Sequence, residues 1–404
     1  MSSTITTSLL NLKTYIEKES YKGWDPYDGL NSKLFKSTPF RHSAIARLVI
    51  IQLFKRNPVN LRRLALISKE YNSKGIGLIL SGYCNLLKYA KYTKDETFGS
   101  EKALKSQIVE LANLLIDLKC EGYSGSCWGY NFDWQARRLF LFPKNTPTVV
   151  ATSFCASALF EAYEATLDQR YLNIALSSAD FIINDLNRHY INEGFLVSYS
   201  PLHGNNTVIN ASLLGAKTLI QCYKYSNKAN YFELAQSLID TCIKLQQDDG
   251  SWIYGLLPSQ NWIDSYHTGY NLDALSTYYR ISKDNSVLDS IKRGYKYYID
   301  NFFEKDGVPI HFKHSKYPID IHCPGQLFVV NHKLRITDSK LKSLESKVLS
   351  WSITNMQSKD GYFYYQIKQF LSSKISYMRW SNAFMFNSIS LYLISNFSED
   401  ESLV

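Results

Sequence analysis

Between residues 172 and 186 the apolar positions are Leu172, Ala175, Leu176, Ala179, Ile182, Ile183 and Leu186. They return at steps of three and four, which puts them on one face of a helix. Similar stripes run from Tyr231 to Leu245, from Val287 to Phe303 and from Leu341 to Met356. Each predicts an amphipathic helix. Tyr171, Tyr231 and Val287 stand 60 and 56 residues apart, so this helix repeats in register.

A second kind of helix alternates with the first. It is rich in small residues and polar at its start, as in Thr148–Phe154, Thr207–Ser212, His267–Asn271, His322–Gln326 and Arg379–Ala383. Ser73-Lys74-Gly75-Ile76-Gly77 opens the earliest one. Small residues allow close approach on all sides, as a buried inner layer requires. Six inner helices are expected, near 75–90, 147–165, 207–225, 267–281, 322–332 and 379–395, each paired with an outer one.

The phrase that closes each outer helix is a Gly followed by an aromatic or aliphatic residue. It stands at Gly194-Phe195, Gly250-Ser251-Trp252, Gly307-Val308 and Gly361-Tyr362, in steps of 54 to 57 residues. An earlier form is Gly125-Ser126-Cys127-Trp128. A repeat of one supersecondary unit at this period decides the architecture. Two layers of distinct composition predict an all-α fold of six helical hairpins closed into an (α/α)6 toroid, as one domain over 1–404.

Composition agrees with a large buried core, since 45% of the 404 residues are hydrophobic. The first 20 residues lack a signal-peptide pattern, and no apolar run reaches the length of a membrane span. Seven Cys without a CxxC pair are expected as core thiols in a reduced, cytoplasmic setting. The net charge of +9 reads as scattered, with much of the excess on outer helices at Lys292, Arg293 and Lys296. Such a solvated face argues against nucleic acid and leaves an acidic polymer as a partner.

Aromatic residues change the picture. The chain has 30 Tyr, 21 Phe and 7 Trp, and many fall in loops. Flat aromatic faces suit sugar rings, while Tyr hydroxyls supply hydrogen bonds. The plain alternative is that these rings fill the mouth of the barrel. In a ring of hairpins the loops leading into inner helices gather at one end, where free helix N–H groups favour an anionic guest.

Those loops hold the candidate chemistry. Trp24, Asp25 and Asp28 lie in the first, and Trp128, Asp133 and Arg137 in the second. His203 lies in the third, Asp264, Tyr266, His267 and Tyr270 in the fourth, His322 in the fifth, and Arg379 and Trp380 in the sixth. Asp264 and His267 carry the sharpest signal, because a carboxylate can hold an imidazole in one tautomer and raise its basicity. With Tyr266 and Asp133 they form the candidate catalytic set; the remainder are candidate substrate contacts, Arg379 as a bidentate fork for a carboxylate. Asp320 and His322 echo the Asp–His pair one unit later. A helix-start hydrogen bond without catalytic role is the structural alternative for each His. No ligand spacing joins His267, His322 and Cys323 into a metal site. No GxxxxGK[ST], GxGxxG or GxSxG motif is present, so no cofactor is expected.

The run Leu245-Gln246-Gln247-Asp248-Asp249-Gly250-Ser251-Trp252, followed by Asp264-Ser265-Tyr266-His267-Thr268-Gly269-Tyr270, resembles the six-hairpin glycosidase-like superfamily. More narrowly it resembles proteins of bacterial surface-polysaccharide biosynthesis clusters, which Trp24–Asp28 and Arg379–Phe384 also fit. The resemblance implies the toroid and a hydrolase, lyase or epimerase. The Gln-rich Asp-Gly-Ser-Trp phrase is also similar to the repeat of triterpene cyclases, but their DxDD acid motif is absent. The expectation is a carbohydrate-active protein on an acidic, uronate-type glycan, by proton abstraction or glycoside hydrolysis. A non-catalytic glycan-binding protein and an isoprenoid cyclase-like enzyme are the alternatives.

Overall fold

A computed structural model describes residues 2–136 and 141–395. Its helices in chain order are α1 (Ser2–Lys18), α2 (Lys33–Lys36), α3 (Ala44–Arg56), α4 (Ser73–Thr93), α5 (Glu101–Asp117), α6 (Val149–Thr166) and α7 (Gln169–Asn184). Then follow α8 (Ile209–Ser226), α9 (Ala229–Lys244), α10 (Ser265–Ser282), α11 (Leu288–Phe302), α12 (His322–Leu334), α13 (Ser339–Met356) and α14 (Phe384–Ile394). A π-helical turn, Met378–Ala383, leads into α14.

The small-residue helices form the inner ring as expected. Each of α4, α6, α8, α10, α12 and α14 packs on the next, and α14 returns to α4. Both faces of these helices are covered: Val149, Ala151, Cys155, Ala156, Leu159 and Ala162 of α6 are all buried. The amphipathic helices α5, α7, α9, α11 and α13 lie outside. The last outer place is taken by α1, so the two ends of the chain close the ring. Gln357 fastens this seam by donating to the Ser8 carbonyl at 2.9 Å.

The repeated glycine is a packing device. Gly250, Gly307 and Gly361 have φ of +89°, +95° and +95°, a region L side chains avoid. A Cβ at Gly250 would also lie 2.5 Å from the Arg293 carbonyl oxygen on the following outer helix. Gly307 meets Lys347 of α13 and Gly361 meets Asn11 of α1 in the same way.

The long loops contain short antiparallel strands that the helical periodicity did not foretell. These are β1 (Trp134–Gln135) with β2 (Leu141–Phe142), β3 (Arg188–Ile191) with β4 (Gly194–Val197), and β5 (Ile319–Asp320), β6 (Tyr364–Ile367) and β7 (Ser373–Ser376) in one sheet of order β5-β6-β7. All long loops enter the inner helices at their N-terminal ends, so they share one mouth. Asn72, Thr148 and Asp264 cap α4, α6 and α10 by accepting from Gly75, Ala151 and His267 N–H groups. That is why these inner helices begin on polar residues.

Candidate active site

Asp264 is buried at the start of α10 and holds His267 twice. One carboxylate oxygen accepts the His267 backbone N–H and the other lies 2.8 Å from its Nδ1. His311 Nε2 stands 3.8 Å from that second oxygen. Burial would raise the Asp264 pKa, but the charge and hydrogen bonds of His267 and His311 outweigh it and keep the carboxyl below its usual range. His267 is the most open of the group, with 19% of its side chain exposed. Its Nε2 takes no hydrogen bond from the described residues. Tyr254, Trp262, Tyr266 and Tyr270 surround the ring at centroid distances of 4.7, 5.5, 4.5 and 5.8 Å.

Behind His267 lies a second chain of polar groups. The buried Tyr270 hydroxyl hydrogen-bonds His322 Nε2, and Lys74 Nζ lies 3.3 Å from the same hydroxyl. Lys74 is buried, stands 4.0 Å over the Phe154 ring, and has no carboxylate in ion-pair range among the described residues. Burial, and then the nearby Arg379 charge, hold its pKa well below the usual value. His322 is likewise depressed by burial, and by Lys74 and Arg379, which favours the neutral imidazole. Its Nδ1 has no hydrogen-bond partner among the described residues. Sequence reasoning passed over Lys74, although a lone Lys in the first turn of an inner helix was the available signal.

The mouth carboxylates are all engaged. Asp320 accepts from Trp380 Nε1 at 2.9 Å, Gln366 Nε2 at 2.7 Å and the His322 backbone at 3.0 Å. Asp25 takes both prongs of Arg379, at 2.5 and 2.8 Å. Asp28 accepts from Arg62 Nε at 2.7 Å, and burial still pushes its pKa up to about 7.

Several expected substrate contacts therefore have other work. Arg379 is buried and its fork is filled by Asp25, so it joins the first loop to the sixth and does not offer a free clamp. Asp25 and Asp28 build that loop. Trp24 anchors it by donating to the Ile67 carbonyl at 2.9 Å. Trp128 is fully buried and donates to the Leu115 carbonyl at 2.8 Å, so it belongs to the layer between α5 and α6 and not to the mouth. Asp133 caps the Lys144 backbone at 2.7 Å and has Lys36 at 3.7 Å; no contact links it to His267. His203 is exposed, without a hydrogen bond or ring contact among the described residues. Arg137 lies outside the described residues.

The structure does bring together Asp264, Tyr266, His267, Tyr270, His322 and Trp380. The Tyr266 ring lies 4.7 Å from His322 and 5.7 Å from Trp380. His311, Tyr254 and Trp262 join them unforeseen. A cavity of about 190 Å³ lies at the opposite end of the ring, lined by Asn331, His332 and Glu345 among others. Among the described residues no group of His, Cys, Asp and Glu could hold a metal ion.

No protein-family model matches the chain, and no curated protein matches it by sequence. Solved structures do. A family 76 α-mannanase from Bacteroides thetaiotaomicron superposes with a TM-score of 0.62 at 13% identity, covering 83% of this chain and 90% of its own. A heparin-specific unsaturated glucuronyl hydrolase gives 0.61 at 12% identity, with 99% of both chains covered. The fold is the (α/α)6 toroid. The cellobiose 2-epimerase of Bacillus thermoamylovorans shares it, with a TM-score of 0.56 at 14% identity over 79% of this chain and 87% of its own. Across such neighbours one scaffold carries different chemistries, so the site must argue the function.

Proposed function

We propose that the protein is a carbohydrate-active enzyme that abstracts a proton from a sugar carbon, with His267 as the base. The observation that carries this reading is the state of the mouth carboxylates. Hydrolysis of a glycosidic bond calls for two carboxyl groups facing each other across it. Here Asp25, Asp28, Asp264 and Asp320 are each held by Arg379, Arg62, His267 or Trp380. The accessible group is an imidazole whose Nδ1 faces a buried carboxylate and whose Nε2 is open. In that arrangement Nε2 takes the proton, and Asp264 stabilises the imidazolium that forms. Tyr270, whose hydroxyl lies between His322 Nε2 and Lys74 Nζ behind His267, is the proposed source of the returning proton. Lys74 supports an acidic, uronate-type substrate, since a carboxylate brought beside it would favour the ammonium form that burial disfavours. Surface-polysaccharide metabolism is the proposed setting.

A glycan-binding role is the second reading. It is favoured by the Tyr254–Trp262 stack beside His267, with centroids 4.3 Å apart and planes 10° from parallel, a platform suited to a sugar face. Incubation with uronate polysaccharides and reducing disaccharides, read by proton NMR and by absorbance of unsaturated uronates, separates the two. A new double bond or a new epimer supports the base. Glycan retention without product favours binding. Release of saturated sugar alone points to hydrolysis and overturns the proposal.

A further inference from the structure

Between Ser32 and Lys69 the chain holds nine Lys and Arg residues and no Asp or Glu. The chain as a whole has 45 basic and 36 acidic residues, so the remainder is balanced and the +9 net charge resides in this stretch. The outer helices do not carry the excess expected of them. Arg293 pairs with Asp289 at 2.9 Å and Lys296 with Asp300 at 2.6 Å. Within 32–69, Arg62 is buried on Asp28, while Lys36 and Lys69 stand beside Asp133 and Glu19. Lys33, Arg41, Arg56 and Arg63 are exposed with no carboxylate partner among the described residues.

The same stretch contains the main run of exposed apolar side chains. On α3, Ile45, Val49 and Leu53 stand one turn apart and are 75, 58 and 47% exposed. The opposite face, Ile51 and Phe54, is buried on the turn at Asp28–Asn31. Phe40 adds a ring just before the helix. Lys368 donates to the Arg56 carbonyl at 2.7 Å, which brings the β6–β7 tip, with exposed Phe370 and Leu371, to the end of α3.

An apolar stripe flanked by cations and free of acids is the pattern of a helix lying in a bilayer interface. A second copy fits poorly, because a face-to-face dimer would oppose like charges. Nucleic acid would use the cations but leave the stripe in water. No described helix is long and apolar enough to cross a membrane, so a surface contact is the form the pattern takes. We propose that α3 and the β6–β7 tip dock the protein on an anionic lipid surface, with Ile45, Val49 and Leu53 at the acyl boundary and Lys33, Arg41 and Arg56 on the headgroup phosphates. This stands independently of the proposed chemistry. Because Lys55 of α3 donates to the Tyr27 hydroxyl at 2.8 Å, docking sets the first mouth loop beside the bilayer.

Flotation of the full chain with vesicles tests it. The protein should float with vesicles containing a third phosphatidylglycerol, remain behind with pure phosphatidylcholine, and be released by salt. Ile45→Asp with Val49→Asp, and separately Arg41→Glu with Arg56→Glu, should each weaken binding at least about tenfold at an unchanged melting temperature. The charge-reversal variant touches only exposed side chains and decides the matter if the apolar variant fails to fold. No flotation at low salt, equal flotation with both lipids, or undiminished binding by the charge-reversal variant overturns the proposal. So does a dimer abolished by Val49→Asp in a protein that ignores vesicles.

Discussion

Truncating Asp25 to Ala isolates the most heavily built contact of the mouth. Asp25 and Arg379 are 3% and 4% exposed, 354 positions apart, and joined by bonds of 2.5 and 2.8 Å. The guanidinium would keep its charge even without Asp25, because an arginine side chain stays protonated at any ordinary pH. Removing one partner of a buried pair costs about 3–5 kcal/mol, since the other charge is left uncompensated. Asp25→Ala should therefore lower unfolding stability by about that amount in urea titration. Replacing both, Asp25→Ala with Arg379→Met, should restore much of the loss, because apolar groups of similar volume avoid the desolvation cost. The double-mutant cycle should give a coupling of at least about 2 kcal/mol. A cost below about 1 kcal/mol for Asp25→Ala, with additive double-mutant behaviour, would mean that Arg379 is not held by Asp25. Its fork would then be available to substrate.

Gly250→Ala should destabilise by about 2 kcal/mol or more in thermal melts, as φ +89° and the Arg293 carbonyl both oppose a Cβ. Burial raises the Glu345 pKa to about 8, so between the ordinary carboxylate pKa and that value the folded state binds the extra proton. Its contribution is complete at acid pH and is lost as pH rises toward 8. Glu345→Gln should flatten this slope and leave the protein roughly 1–3 kcal/mol more stable than wild type at alkaline pH, read by denaturation across pH.

The architecture was legible because it rests on periodicity. The stripe from Leu172 to Leu186 and the small-residue openings are local patterns, and their repeat alone implies an inner and an outer layer. Asp264 and His267 were legible for the same reason, since three residues at a helix start suffice for a cap and an imidazole contact. What failed depended on partners remote in sequence. Arg379 looks free until Asp25 arrives from the far end of the chain. Trp128 stands among loop aromatics that resemble a mouth, yet its indole reaches the Leu115 carbonyl. Lys74 sits in the opening turn of the first inner helix, but only the closed ring puts its Nζ beside Tyr270. The short β-hairpins went unseen because strands of two to four residues carry almost no alternation.

Solvent exchange measures proton abstraction most directly. The protein would be incubated in deuterium oxide with each sugar it binds or converts, and NMR would follow deuterium entering a carbon-bound position. Wild type should introduce deuterium at a single sugar carbon, or, where the product is an unsaturated sugar, remove the hydrogen from that one carbon. His267→Gln should introduce none while melting at the wild-type temperature, because glutamine keeps a hydrogen-bonding group but cannot take the proton. Exchange undiminished in His267→Gln, or turnover by wild type that yields neither deuterium at a carbon nor a new carbon–carbon double bond, would contradict His267 as the base.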